Sequence, residues 1–172
     1  MKTIFASLAL ALAVSFSAHA DATVKLTDVH LCCQSCVKGV TKAVSAVGGV
    51  KADSNMDDHT VTLTGPDTAT VQKAVDALTA AGYYGMSSDP AVKVNADTGA
   101  KGEKVKSLKI EDVHLCCGKC VKSVNTALSS VPGVTGNTAE KGAKSFTVTG
   151  DFNDKDVMDA LQKAGLTGHV AN

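Results

Sequence analysis

The sequence predicts an α+β protein of two tandem units, each running strand, helix, strand, strand, helix, short strand. Three observations support this. Asp28 to Val50 aligns without gaps on Asp112 to Val134, with fifteen of 23 positions identical, which marks an internal duplication. Apolar residues alternate with polar ones just ahead of each copy. Within each copy, apolar residues then recur at helical spacing.

The first strand is read from Val24 and Leu26 between Lys25 and Thr27, and its counterpart from Leu108 and Ile110. Val37, Val40, Val44 and Val47 make the stripe of the first helix, which Val121, Val124, Leu128 and Val131 repeat. Gly48-Gly49 and Pro132-Gly133 stop these helices. Val50 to Asn55 and Thr60 to Thr64 read as a hairpin around Met56 to His59, and VTLTG (61–65) returns as FTVTG (146–150). Val71, Val75 and Leu78 mark the second helix, ended by Gly82, and Val157 and Leu161 mark its repeat, ended by Gly165.

These readings divide the chain into a leader (1–20), a first domain (21–88), a linker (89–104) and a second domain (105–172). Lys2, the apolar run Ile4 to Phe16 and the small-x-small Ala18-His19-Ala20 form a cleavable secretory signal. The expected location is therefore secreted or periplasmic. The apolar run is too short to span a bilayer and nothing later could, so no membrane span is expected. Asp89 to Lys104 has the Gly, Ala, Lys and Asp content of a solvated linker. Each domain has about 65 residues and hence a thin core. Seventeen lysines, no arginine, seventeen acids and 3% aromatics leave neither a basic stripe nor stacking platforms, which argues against a nucleic-acid partner.

The chemistry lies in the cysteines. All six fall in two copies of His-Leu-Cys-Cys-x-x-Cys: His30, Cys32, Cys33 and Cys36, then His114, Cys116, Cys117 and Cys120. Both copies sit where the first strand has ended and the first helix begins. A Cys-x-x-Cys there brings two sulfurs to one ion, and the helix N-terminus favours thiolates. Thiolates select Cu(I), Zn(II) and other thiophilic ions over hard cations.

Each repeat resembles the heavy-metal-associated domain, the ferredoxin-like βαββαβ module of copper chaperones, copper-ATPase amino-terminal domains and the periplasmic mercury-binding protein. The motif residues are Cys33/Cys36 and Cys117/Cys120, with Val131-Pro132-Gly133-Val134 after a first helix and Ala81-Gly82-Tyr83 after a second. The resemblance implies two tandem ferredoxin-like domains that bind a soft ion. It also implies transfer by thiolate exchange with a metal-donor or metal-acceptor protein. The family's Gly-Met is His30-Leu31 and His114-Leu115 here, and an extra Cys32 or Cys116 precedes the motif.

Cu(I) is the first expectation, with Zn(II) and Hg(II) as alternatives. Cys32 and Cys116 are candidate third ligands, suiting trigonal Cu(I) or Hg(II). His30 and His114 could complete a Cys₃His set for zinc, or orient the ligands. Tyr83 either covers the metal loop or packs in the core. His59 and His169 read as exposed. No catalytic triad, phosphate loop or paired-carboxylate site is present in the sequence pattern. The alternative function is a thiol–disulfide oxidoreductase, which also places Cys-x-x-Cys at a helix start, although the flanking Trp and intervening Pro of thioredoxins are missing. A purely structural disulfide framework is the blandest reading. Three cysteines per unit argue against it, since any internal bridge leaves an odd thiol.

Overall fold

The structure is a computed structural model and describes residues 21–171; the signal expected over Met1 to Ala20 lies outside them. In the first unit, β1 (Ala22–Thr27) buries Val24 and Leu26, packs Ala22 against the core edge and turns Thr23 and Lys25 outward. Asp28 then takes a left-handed φ of 60°, a conformation that Asp tolerates better than most residues. Its Oδ2 accepts from the Thr27 hydroxyl at 3.1 Å. That reversal ends the strand and sends buried Val29 and Leu31 into the core. Helix α1 (Gln34–Ser45) follows, burying Cys36, Val40 and Val44. Val37 and Val47 of the expected stripe lie only half-buried beside that line.

Strands β2 (Lys51–Asn55) and β3 (Thr60–Gly65) form the expected hairpin, paired from Lys51–Thr64 to Asn55–Thr60. Helix α2 (Thr68–Ala80) starts on Asp67, whose carboxylate accepts from the Thr70 amide, an ordinary N-cap. It ends before Gly82, at φ +86°. The short β4 (Met86–Ser87) completes an antiparallel sheet of order β2-β3-β1-β4.

The second unit repeats this with β5 (Lys104–Glu111), α3 (Gly118–Ser129), β6 (Val134–Asn137), β7 (Ser145–Asn153), α4 (Asp154–Lys163) and β8 (His169–Val170). Its sheet order is β6-β7-β5-β8. Asp112, equivalent to Asp28, has the same φ of 60°. Both domains are ferredoxin-like, as the apolar periodicities and the resemblance together anticipated. Strand β7 runs longer than the repeated FTVTG because its far end continues to pair with the start of β5, past a bulge between Val105 and Ser107.

Residues 89–104 are held down along much of their length, more than their linker-like composition suggested. Val92 is 1% exposed. The Gln72 amide brackets Lys93, donating to its carbonyl at 2.7 Å and accepting from its N–H at 2.8 Å. Farther on, the Asp154 carboxylate accepts from the backbone amides of Lys101, Gly102 and Glu103 at 2.8–2.9 Å.

The two domains meet through equivalent residues. Tyr83 and Leu166 pair in an isolated antiparallel bridge, both nearly fully buried. The Tyr84 amide donates to the Gly165 carbonyl and the Thr167 amide to the Gly82 carbonyl, each at 3.1 Å. The His30 amide also donates to Gly165 O, at 3.2 Å. A Cβ at Gly82 would stand 2.5 Å from the His114 amide nitrogen, and one at Gly165 2.5 Å from that of His30. Glycine thus lets each second-helix terminus lie against the other domain's His-Leu-Cys-Cys loop.

Candidate metal centre

Each cysteine triplet is built by the same local path. After the left-handed Asp, the chain buries Val29 and Leu31, or Val113 and Leu115, in its own domain. This leaves His30 and Cys32, or His114 and Cys116, half-buried at the domain edge. Cys33 and Cys117 occupy the N-cap positions of α1 and α3 in extended conformation, without a side-chain cap. A Ser or Asp there would satisfy a free amide and add about 1 kcal/mol of helix stability. A sulfur stands in its place. Cys36 and Cys120 sit in the first turn, fully buried.

Because the loops face one another, the six sulfurs converge. Within the first domain Cys32 Sγ lies 3.6 Å and Cys33 Sγ 3.9 Å from Cys36 Sγ. The second repeats these spacings at 3.6 and 3.8 Å around Cys120. Contacts between domains are as short. Cys32 lies 3.4 Å from Cys117 and 3.5 Å from Cys120, and Cys116 lies 3.5 Å from Cys36 and 3.7 Å from Cys33. Three all-sulfur triads, each within 4.8 Å, are Cys32–Cys33–Cys117, Cys33–Cys36–Cys116 and Cys116–Cys117–Cys120. All six thiols are free.

Crowding splits their proton affinities. Burial pushes the Cys32 thiol up to about 12, reinforced by its contact with Cys117. Cys116 is likewise raised, first by burial and then by Cys36. Cys36 and Cys120 are shifted in opposite directions. The contact from Cys120 holds the Cys36 thiolate down, while the same contact and burial raise Cys120. At Cys117 burial acts upward but is outweighed by the Cys120 backbone amide and the Cys32 thiol, leaving it lowered to about 6. Such a set holds several protons at neutral pH that a thiophilic cation would displace.

The histidines differ. A ring nitrogen of His30 groups with the sulfurs of Cys32 and Cys120 within 4.8 Å. Its Nε2 is buried without a hydrogen-bond partner, and desolvation lowers its pKa. A neutral imidazole nitrogen beside two sulfurs is a donor a soft metal can use. His114 also neighbours a sulfur, helping to lower the Cys36 thiol, but it is engaged by Tyr83, Nε2 to hydroxyl 3.1 Å with ring centroids 4.6 Å apart. The Tyr83 hydroxyl donates to the Cys36 carbonyl at 2.8 Å, so its oxygen accepts from His114 Nε2–H, which sets that tautomer. His59 and His169 are exposed.

Tyr83 therefore does both things expected of it, packing in the core and bracing the metal loop. The residue that admits it, Gly39, was not singled out in the sequence. A Cβ at Gly39 would collide with the Tyr83 hydroxyl. The available signal was a glycine inside a helix, which costs about 1 kcal/mol and calls for a packing reason. In the second domain Ser123 and Leu166 replace the Gly39 and Tyr83 pair. Gly82 and Gly165 had been read only as helix stops.

A double ferredoxin-like fold with thiol clusters at the start of each first helix defines a metal-binding protein rather than an enzyme. The heavy-metal-associated domain family matches residues 26–84 and 107–167; the chain belongs to it. Two relatives, the mercuric transport protein periplasmic components of Shigella flexneri and Pseudomonas aeruginosa, are 44% and 41% identical over 85 residues. Each match covers 48% of this chain and 93% of the relative. Among solved structures, the N-terminal soluble domains of Bacillus subtilis CopA align over 89% of this chain and 95% of that one, at 15% identity and a TM-score of 0.34. Heavy-metal binding or transfer is the function that the family and these two relatives support. Among the described residues no helix is long and apolar enough to cross a membrane.

Proposed function

We propose that this chain is a periplasmic or secreted protein that takes up a soft metal ion, Cu(I) foremost, and holds it between its two domains. Cys33, Cys36, Cys117 and Cys120 supply thiolates, Cys32 and Cys116 supply further ones, and His30 adds a nitrogen at one edge. His114 acts through Tyr83, fixing the backbone carbonyl of Cys36. Residues 21–88 and 105–172 are the two binding domains and 89–104 the strap that joins them. The supporting observation is that two of the three all-sulfur triads draw on both domains at once. Three thiolates per ion hold more tightly than two, so sequestration is favoured over fast exchange. The half-buried Cys33 and Cys117 leave a partner thiolate a point of attack when the cargo is handed on.

The export reading rests on the N-terminal pattern of residues 1–20 and on the relatives' periplasmic naming. Anaerobic titration of the reduced protein with Cu(I), Zn(II) and Hg(II) tests the assignment. Tight Cu(I) uptake abolished by Cys33→Ser with Cys117→Ser is expected. Unchanged affinity in that double variant refutes it.

A further inference from the structure

The six sulfurs are arranged as more than a collection of possible ligands. The triads Cys32–Cys33–Cys117, Cys33–Cys36–Cys116 and Cys116–Cys117–Cys120 use Cys33, Cys116 and Cys117 twice each. Cys32, Cys36 and Cys120 are each used once. Those three also lie near one another, Cys32 being 3.6 Å from Cys36 and 3.5 Å from Cys120, and Cys116 standing 3.5 Å from Cys36 and 3.6 Å from Cys120 on their other side. With this fourth triad every sulfur belongs to two triads. The only pairs sharing none are Cys32 with Cys116, Cys33 with Cys120 and Cys36 with Cys117. With those three pairs taken as opposite corners, the six sulfurs fit an octahedron of which the four triads are alternate faces.

Contact lengths select the coordination that fits those faces. With metal–thiolate bonds of about 2.3 Å, a linear two-coordinate ion separates its sulfurs by ~4.6 Å, and a trigonal one by ~4.0 Å. The hydrogen-bonded sulfur pairs lie between 3.4 and 3.9 Å, on the trigonal side. We propose that the site takes a cluster of four Cu(I) ions, one on each alternate face. Each ion binds three sulfurs and each sulfur bridges two ions. Loading turns four Cu(I) and six cysteines into a four-copper, six-thiolate cage and releases one proton from each sulfur that is still a thiol. Copper and sulfur keep their oxidation states. Four monocations against six thiolates leave a net charge of −2, which faces the N-termini of α1 and α3, where negative charge is favoured. Two of the three sulfur triads first named draw on both domains and the third lies wholly in the second; the cage needs all six sulfurs, so no domain can build it alone.

This inference rests on the Cu(I)-binding reading above. Native mass spectrometry of the reduced mature chain, titrated anaerobically with Cu(I) acetonitrile complex, separates the two. The expected result is a monomer in which the metal-free and four-copper forms dominate throughout. X-ray absorption should show three sulfur neighbours and a copper–copper shell. Uptake that stops at two ions per chain, filled one after another without that shell, overturns the cage and leaves Cu(I) binding intact. Four ions found only in a dimer of chains also overturns it. No uptake refutes both readings. Cys32→Ser with Cys116→Ser takes one sulfur from each of the four faces, so no three-sulfur face remains and the four-copper form with three sulfur neighbours per ion should be lost; its retention overturns the geometry. The wild-type stoichiometry is decisive even where that variant misfolds.

Discussion

The interface between the domains can be broken by one methyl group. Gly165 stands at φ +75°, and its Cβ would approach the His30 amide nitrogen to 2.5 Å and the Asp28 carbonyl more closely still. Ordinary contact needs at least 3.4 Å, so Gly165→Ala forces the domains apart by roughly 1 Å, more than close packing absorbs. Parting lengthens the hydrogen bonds that Gly165 O accepts from His30 and Tyr84, at about 1 kcal/mol each. A loss of about 2 kcal/mol from closure lowers Cu(I) affinity ~30-fold if the ion needs both domains. Left-handed strain adds about 1–2 kcal/mol within the second domain. Gly48→Ala carries that strain alone, because Gly48 has φ +73° and open space around its Cβ. The assay is Cu(I) competition against a chromogenic chelator, with small-angle scattering to follow compaction. Gly165→Ala should lose affinity and expand while Gly48→Ala does neither. Equal behaviour of the two variants refutes closure as the basis of binding.

Tyr83→Phe removes the hydroxyl from Cys36 O and His114 Nε2 and should cost about 1–2 kcal/mol in urea denaturation; an unchanged midpoint would show that the brace carries no energy. Cation uptake must displace protons from Cys32, Cys116 and Cys120, all raised. Apparent affinity should therefore climb with pH, with at least three protons per chain released into weakly buffered solution at pH 7 on full loading; a flat pH profile contradicts this. Asp154 is pushed up by burial but held lower overall by the amides of Lys101, Glu103 and Gly102. Its stabilisation is present above its unfolded pKa of about 4 and is lost as pH falls through the lower folded value. Asp154→Ala should cost about 2 kcal/mol at neutral pH and flatten the acid limb of the stability curve, measured by urea titration from pH 2 to 7.

The fold was readable because its signals are local. Period-two alternation at Val24 and Leu26, helical spacing at Val40 and Val44, and glycine stops at Gly48 and Gly82 each follow from neighbours in sequence. The motif also told where the sulfurs would lie within one domain. How the two motifs meet could not be read, because it depends on surfaces far apart in the chain. Gly82 and Gly165 serve one purpose as helix ends and another as windows onto the opposite loop, and only the first leaves a mark in the local pattern. His30 and His114 are identical in sequence context. They diverge because Tyr83 captures one, and because Leu166, in the equivalent place, has no hydroxyl to capture the other. The strap defied its composition for a similar reason. Its amides are satisfied by Asp154, about fifty residues downstream.

The strap also governs who can empty the site. A tethered neighbour acts at an effective concentration in the millimolar range, and here that neighbour already covers the face by which a lone domain would greet an acceptor. Delivery becomes a contest in which any incoming protein must outbid a competitor that never diffuses away. Only acceptors of high affinity, or an event that loosens the strap, can draw the cargo out.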